Sequence, residues 1–239
     1  MPHPSSPMQF PLAGCYRNFM AASAKKTRPT TSASTKPTPA IKKSTPIKQT
    51  KTKKAAKAKL VSSKLAYDGK VFKVFTDTVI EPSGHRNVRD IIRHNGSVVI
   101  LAVDDSKNPK DPDIILERQY RHAAGQFLLE LPAGRIESNE APLAAAKREM
   151  IEETGFRAKR WTFLTKYFAS PGFLAEYMQI YLARDVREGV AQPEADEQIE
   201  ILRVPLSQAL ALIAANKIHD GKTIIGLSCY DAARRAGRL

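Results

Sequence analysis

The pattern of apolar and polar positions changes near residue 60. Beyond it, Val71 to Ile80 and Val88 to Arg93 read as strands around the turn Glu81-Pro82-Ser83-Gly84. Ser97 to Val103 reads as a buried strand, Lys107 to Pro112 as a loop, and Ile114 to Gln119 and Phe127 to Leu131 as two further strands. A helix is expected from about Ala141 to Thr154, with Pro142 in its first turn and Gly155 as its stop. Strands recur at Trp161 to Tyr167, Tyr177 to Ala183 and Ile199 to Val204. In the last, Ile199, Ile201 and Arg203 alternate with Glu200, Leu202 and Val204, so both faces are expected to pack. Ser207 opens a helix to about Asn216, and a final helix runs from near Asp220 to about Ala236. Strands, one central helix, more strands and then helices describe an α/β (α+β) chain: a mixed sheet with helices on both faces. No internal repeat is present.

The first 60 residues carry no such period. They are low in complexity, built from Ser, Thr, Pro, Ala and Lys, and are expected to be a disordered tail ahead of a domain over 61–239. The tail also accounts for the charge. Residues 1–67 hold 12 Lys and 2 Arg with no acid, equal to the whole net charge of +14, which leaves 24 bases and 24 acids in 68–239. A neutral body argues against specific nucleic-acid binding. The longest apolar run, Ala209 to Ala215, is seven residues, against about 20 for a membrane span. Two cysteines, Cys15 and Cys229, provide neither a disulfide framework nor a thiolate metal site. A cytoplasmic location is expected. An organellar address in the acid-free tail is the alternative, disfavoured by the excess of Lys over Arg. Met20 is an alternative start.

The candidate chemistry lies in Gly134 to Phe156, GRIESNEAPLAAAKREMIEETGF. Glu149, Glu152 and Glu153 stand at i, i+3 and i+4, so three carboxylates project to neighbouring places on one helical turn. Like charges at this spacing cost about 0.2–0.5 kcal/mol per pair. Arg148 and Lys147 offset part of that, and a hard divalent cation such as Mg²⁺ or Mn²⁺ would offset the rest. An isolated R-E-x-x-E-E string is more often a solvated acidic face. Here Gly134, Glu140, Arg148-Glu149, Met150, Ile151, Glu152-Glu153, Thr154, Gly155 and Phe156 occupy every fixed place of the Nudix box.

Over about residues 65 to 235 the chain resembles the Nudix hydrolases, and within them the ADP-ribose pyrophosphatases. The resemblance implies a Nudix fold whose box binds Mg²⁺ or Mn²⁺ and whose enzymes cleave a nucleoside diphosphate joined to another moiety. It implies Glu149, Glu153 and the Ala133 carbonyl as metal ligands. Glu152 would ligate a further metal or orient water, Arg148 would hold the glutamates, and Glu140 would be structural. Four further segments resemble the ADP-ribose group: Ser170-Pro171-Gly172 with Glu176; Glu117-Arg118-Gln119-Tyr120-Arg121; Glu130-Leu131-Pro132-Ala133-Gly134; and the acidic loop Ala195 to Glu200. By that likeness Arg121, Arg135, Ser170, Pro171, Gly172 and Glu176 contact substrate, as do Arg89 and Asp90, in some members across a dimer interface. Glu197 would be the general base or complete the metal site, with Glu194 as second choice. Tyr167, Phe168 and Phe173 are candidates to stack on a base, with core packing the plainer role for each. The implied partners are a nucleoside diphosphate sugar and a second copy of the chain. A GDP-mannose hydrolase and a non-catalytic binding module remain as alternatives.

Overall fold

The computed structural model describes residues 57–191 and 198–239. Residues 1–56 of the expected tail, and Glu194 and Glu197, therefore lie outside the described residues. The first described strand, β1 (Lys59–Asp68), was not expected. It pairs antiparallel with β2 (Lys73–Ile80), which pairs in turn with β3 (Arg86–Ile92). All ten residues of β1 are exposed, so backbone pairing rather than a buried stripe makes it a strand. The turn between β2 and β3 is closed by Gly84 N–H donating to Glu81, with Gly84 at φ 88°.

The second sheet is built on β4 (Ser97–Asp104) and β5 (Asp113–Arg121), with β8 (Arg157–Phe168), β9 (Tyr177–Arg187) and β10 (Ile199–Pro205), in the order β10-β5-β4-β9-β8. It is mixed, because β4 and β9 run parallel while the other pairings are antiparallel. β4 and β5 share only the pairs Val103↔Ile114 and Asp104↔Asp113. Beyond them the two strands diverge. The short β6 (Gln126–Glu130) lies on β5, and β7 (Ala133–Arg135) lies on β4. Leu131 and Pro132 bridge this split, and Ile100 N–H donates to the Pro132 carbonyl at 2.8 Å.

Three helices cover the sheet: α1 (Pro142–Thr154), α2 (Leu206–Ala214) and α3 (Gly221–Arg235). Strand β4 separates two cores. Val98, Ile100 and Ala102 pack with Ala145, Ala146, Met150 and Phe156 on the α1 side. Val99, Leu101 and Val103 pack with Leu206, Ala209, Leu227 and Tyr230 on the α2–α3 side. The expected layers, with helices on both faces, are therefore present. In β10, Ile201 packs on the first core and Leu202 and Val204 on the second, as its pattern implied.

The ends of the helices follow from local chemistry. α1 carries Pro142 in its first turn and stops at Gly155, whose φ is 73° and whose N–H returns to the Ile151 carbonyl. α3 is capped by Asp220, which accepts from Thr223 N–H at 2.9 Å. α2 has no side-chain cap of its own. Instead Asp111, from the β4–β5 loop, accepts from Ser207 N–H at 2.8 Å and from its hydroxyl at 2.7 Å. Among the described residues no helix is long and apolar enough to cross a membrane.

Candidate active site

The split between β4 and β5 delivers the chain to α1. Gly134, in β7, pairs with Val98, and a side chain here would displace Glu149. A Cβ would lie 1.9 Å from Glu149 Cδ and 2.1 and 2.2 Å from its two oxygens. Absence of that atom makes the space in which the Glu149 carboxylate rests against the strand. One turn on, Glu153 accepts from Ala133 N–H at 3.0 Å. The helix and the strand before it are thus joined through two carboxylates at i and i+4.

Arg148 binds the rest together. Its Nε and Nη2 donate to the two oxygens of Glu140, each at 3.0 Å. Nη1 donates to Glu149 at 2.8 Å and to Glu152 at 2.9 Å. Nη2 also donates to the Arg135 carbonyl at 3.1 Å. Glu140 accepts in addition from Glu137 N–H at 3.0 Å. Hydrogen bonding from Arg148 holds the Glu140 carboxyl below its usual range. Glu149, with a side chain 13% exposed, goes the other way. Burial pushes its pKa up, Arg148 opposes this, and the charges of Glu152 and Glu140 add to the rise.

Three carboxylates therefore surround one guanidinium, and a fourth, Glu153, lies on the same helical turn as two of them. Among the described residues no three acidic, histidine or cysteine side chains already converge on one point, because Arg148 draws Glu149 and Glu152 and the Ala133 amide draws Glu153. The donors are nonetheless hard oxygens in excess negative charge, and the cleared space beside Gly134 admits one of them, Glu149. That set fits Mg²⁺ or Mn²⁺.

The remaining sequence-selected residues are spread around this centre. Arg121, at the end of β5, makes a two-pronged pair with Glu130 at 2.8 and 3.0 Å. Glu176 accepts from the Ser97 hydroxyl at 2.6 Å, with His94 Nε2 at 3.8 Å. The Ser170-Pro171-Gly172 segment forms a turn in which the Ser170 carbonyl accepts from Leu174 N–H at 2.9 Å. That turn is tied to β3, since Ile92 N–H donates to Phe173 and Ala175 N–H to Ile92. Arg135 lines an open cavity of about 350 Å³ with Phe72, Phe75, Arg93, His94 and Asn95.

Arg89 and Asp90 are engaged inside the three-stranded sheet, Arg89 with Glu81 at 2.8 Å and Asp90 with the Thr76 hydroxyl at 2.7 Å. Of the aromatic candidates, Tyr167 packs against the α2–α3 core, while Phe168 and Phe173 are exposed. Sequence reasoning passed over Lys222 and Thr223, which are buried and reach Glu130 and the Leu131 amide. Their signal was two polar residues one turn ahead of the apolar Gly226-Leu227.

A mixed sheet between helices, with a glycine-cleared carboxylate cluster on the first helix, defines a hydrolase scaffold built to hold divalent metal. The chain belongs to the Nudix family: the model of the NUDIX domain matches residues 93–224, more than half of it. Nudix hydrolases generally use divalent metals such as Mg²⁺. The chain is 34% identical over 172 residues to an ADP-ribose pyrophosphatase of Bacillus subtilis (strain 168), spanning 71% of this chain and 90% of that protein. It is 34% identical over 157 residues to a GDP-mannose pyrophosphatase of Citrobacter koseri, 58% of this chain and 78% of that one. A crystal structure of an ADP compounds hydrolase superposes with a TM-score of 0.65 at 23% identity, covering 79% of this chain and all of the other, and shares the fold.

Proposed function

We propose that this chain is a Mg²⁺-dependent hydrolase of ADP-ribose, cleaving the pyrophosphate to AMP and ribose 5-phosphate, with Mn²⁺ as a substitute ion. The observation that carries this reading is the Glu149 carboxylate seated where Gly134 has no side chain, with Glu152 and Glu153 on the same turn. Glu149, Glu152, Glu153 and the Ala133 carbonyl would hold the metal, which when bound neutralises phosphate charge and acidifies water. Arg121 and Arg135 face the diphosphate with planar forks suited to its oxygens. Glu197 takes the proton as water adds to one phosphorus and the bridging oxygen leaves with the other. The Ser170–Gly172 turn, Glu176, Arg89 and Asp90 complete the substrate contacts in this reading.

The exposed apolar side chains of β1, β2 and β3, Leu60, Val61, Leu65, Tyr67, Ile80 and Val88, support a homodimer formed through that sheet. The domain is proposed to begin near residue 60, at the start of β1, and the location is proposed as cytoplasmic. The similarity to GDP-mannose pyrophosphatases favours GDP-mannose as the second substrate to try. Purified chain incubated with ADP-ribose, GDP-mannose and NADH, each with Mg²⁺ or Mn²⁺, should release AMP fastest from ADP-ribose. GMP appearing faster from GDP-mannose would transfer the assignment to that compound. Removing residues 1–56 separates an enzyme from a tail-driven binding module: the enzyme keeps its turnover.

A further inference from the structure

The first turn of α3 meets the chain just ahead of the box. Leu131 N–H donates to the Thr223 hydroxyl at 2.7 Å, which donates onward to Asp220 at 2.5 Å. Beside it, Lys222 pairs with Glu130, and its Nζ lies 3.3 Å from Asp220. Both charges are deep, with Glu130 1% and Lys222 7% exposed. Both oxygens of Glu130 accept from Arg121, Oε2 being shared with Lys222, and the Arg121 guanidinium is also within electrostatic reach of Glu117 and Glu153. Packing closes the same joint, since a Cβ on Gly226 would lie 2.6 Å from Leu131 Cδ1. Two residues beyond Leu131, the Ala133 amide meets Glu153.

A buried ion pair often stabilises no better than well-packed apolar residues of the same volume. What it supplies here is direction. Glu130 takes the Nε and Nη2 edge of Arg121, so the orientation of the fork is set by a carboxylate that Lys222 itself holds. The Thr223 hydroxyl fixes the height of Leu131, and with it the strand that offers Ala133 to Glu153. We propose that Lys222 and Thr223 are positioning residues, Lys222 acting through Glu130 on Arg121, and Thr223 acting through Leu131 on the Ala133–Glu153 contact. The role of these contacts in turnover rests on the pyrophosphatase reading of the box.

Three variants separate the two arms, with Mn²⁺ affinity by calorimetry, thermal melting, and kcat and KM for ADP-ribose as readouts. Thr223→Val removes the hydroxyl at nearly constant volume. It should lower kcat about tenfold, ~1.4 kcal/mol of barrier, and weaken Mn²⁺ binding several-fold. Thr223→Ser should restore both. Lys222→Met should act mainly on KM, raising it about tenfold, roughly 1.4 kcal/mol. Wild-type kcat and Mn²⁺ affinity in folded Thr223→Val, or equal defects in Thr223→Ser, would overturn the proposal. Should Thr223→Val not fold, amide exchange in the full wild-type chain decides. The Leu131, Ala133 and Thr223 amides must open as one unit, and Ala133 opening alone overturns the coupling. The calorimetric and exchange readings do not use turnover, so an inert wild-type chain would refute ADP-ribose hydrolysis while these arms still judged the clamp.

Discussion

Replacing Gly134 by alanine tests the site with one added methyl group. The residue is paired in β7 and does not occupy the left-handed region, so alanine brings no backbone strain. Its effect on stability should stay within about 1 kcal/mol. The added carbon would stand 1.9 Å from Glu149 Cδ, where ordinary contact begins at 3.4 Å. The carboxyl must therefore retreat by roughly 1.5 Å, and misplacement of about 1 Å in a catalytic constellation costs on the order of 100-fold. The expected loss in kcat/KM is about 100-fold, or ~2.7 kcal/mol. Release of AMP from ADP-ribose at saturating Mg²⁺ measures it, with Mn²⁺ calorimetry to locate the defect and a melting curve to confirm the fold. A variant within about threefold of wild type would show that the cleared space does not matter. A collapsed melting temperature would show that the glycine serves the chain path rather than the carboxylate. Either result refutes the reasoning.

Glu153→Gln keeps an acceptor for the Ala133 amide but removes the charge, so turnover should fall by roughly two to three orders of magnitude in a folded protein; near-normal turnover at saturating Mg²⁺ rules out Glu153 as a ligand. Arg148→Lys exchanges a fork that spans Glu140, Glu149 and Glu152 for a single point charge. It should cost about 1–3 kcal/mol of stability with a clear loss of activity, and an unchanged urea midpoint contradicts this. Asp111 is held below the usual carboxylate range, first by the Ser207 hydroxyl and then by its amide. A lowered folded pKa means that the contribution is complete above the unfolded value, about 4, and is lost as pH falls through the folded one. Asp111→Asn should thus destabilise by about 0.3–1 kcal/mol at pH 7 and by much less near pH 2, compared by urea titration. An equal difference at both pH values disproves the charged cap.

The central helix, the two-sided strand Ser97 to Asp104 and the late helices were legible because each carries its own period or cap. β1 was not, since Lys59, Ser62, Ser63 and Lys64 continue the composition of the tail, and its ten exposed residues show no stripe to detect. β7 was missed because three residues are too few for a pattern, and its conformation is imposed by β4 and by Glu149. In the site, the spacing of Glu149, Glu152 and Glu153 follows from helical geometry alone. The partners of Arg121 and of the α2 cap do not. Glu130 reaches Arg121 through strand pairing and Asp111 reaches Ser207 across 96 residues, so both contacts exist only once the sheet has formed.

Arg148 has five N–H groups, and each has an acceptor within the box: two on Glu140, one each on Glu149 and Glu152, and one on the Arg135 carbonyl. As arranged, it has no donor left for a visiting anion. Affinity for the ligand's phosphates must then reside on other strands and loops, away from the residue that sets the posture of the acids. Ligand preference can drift at those outer positions while the reactive centre stays as it is, so one scaffold can serve different nucleotide sugars.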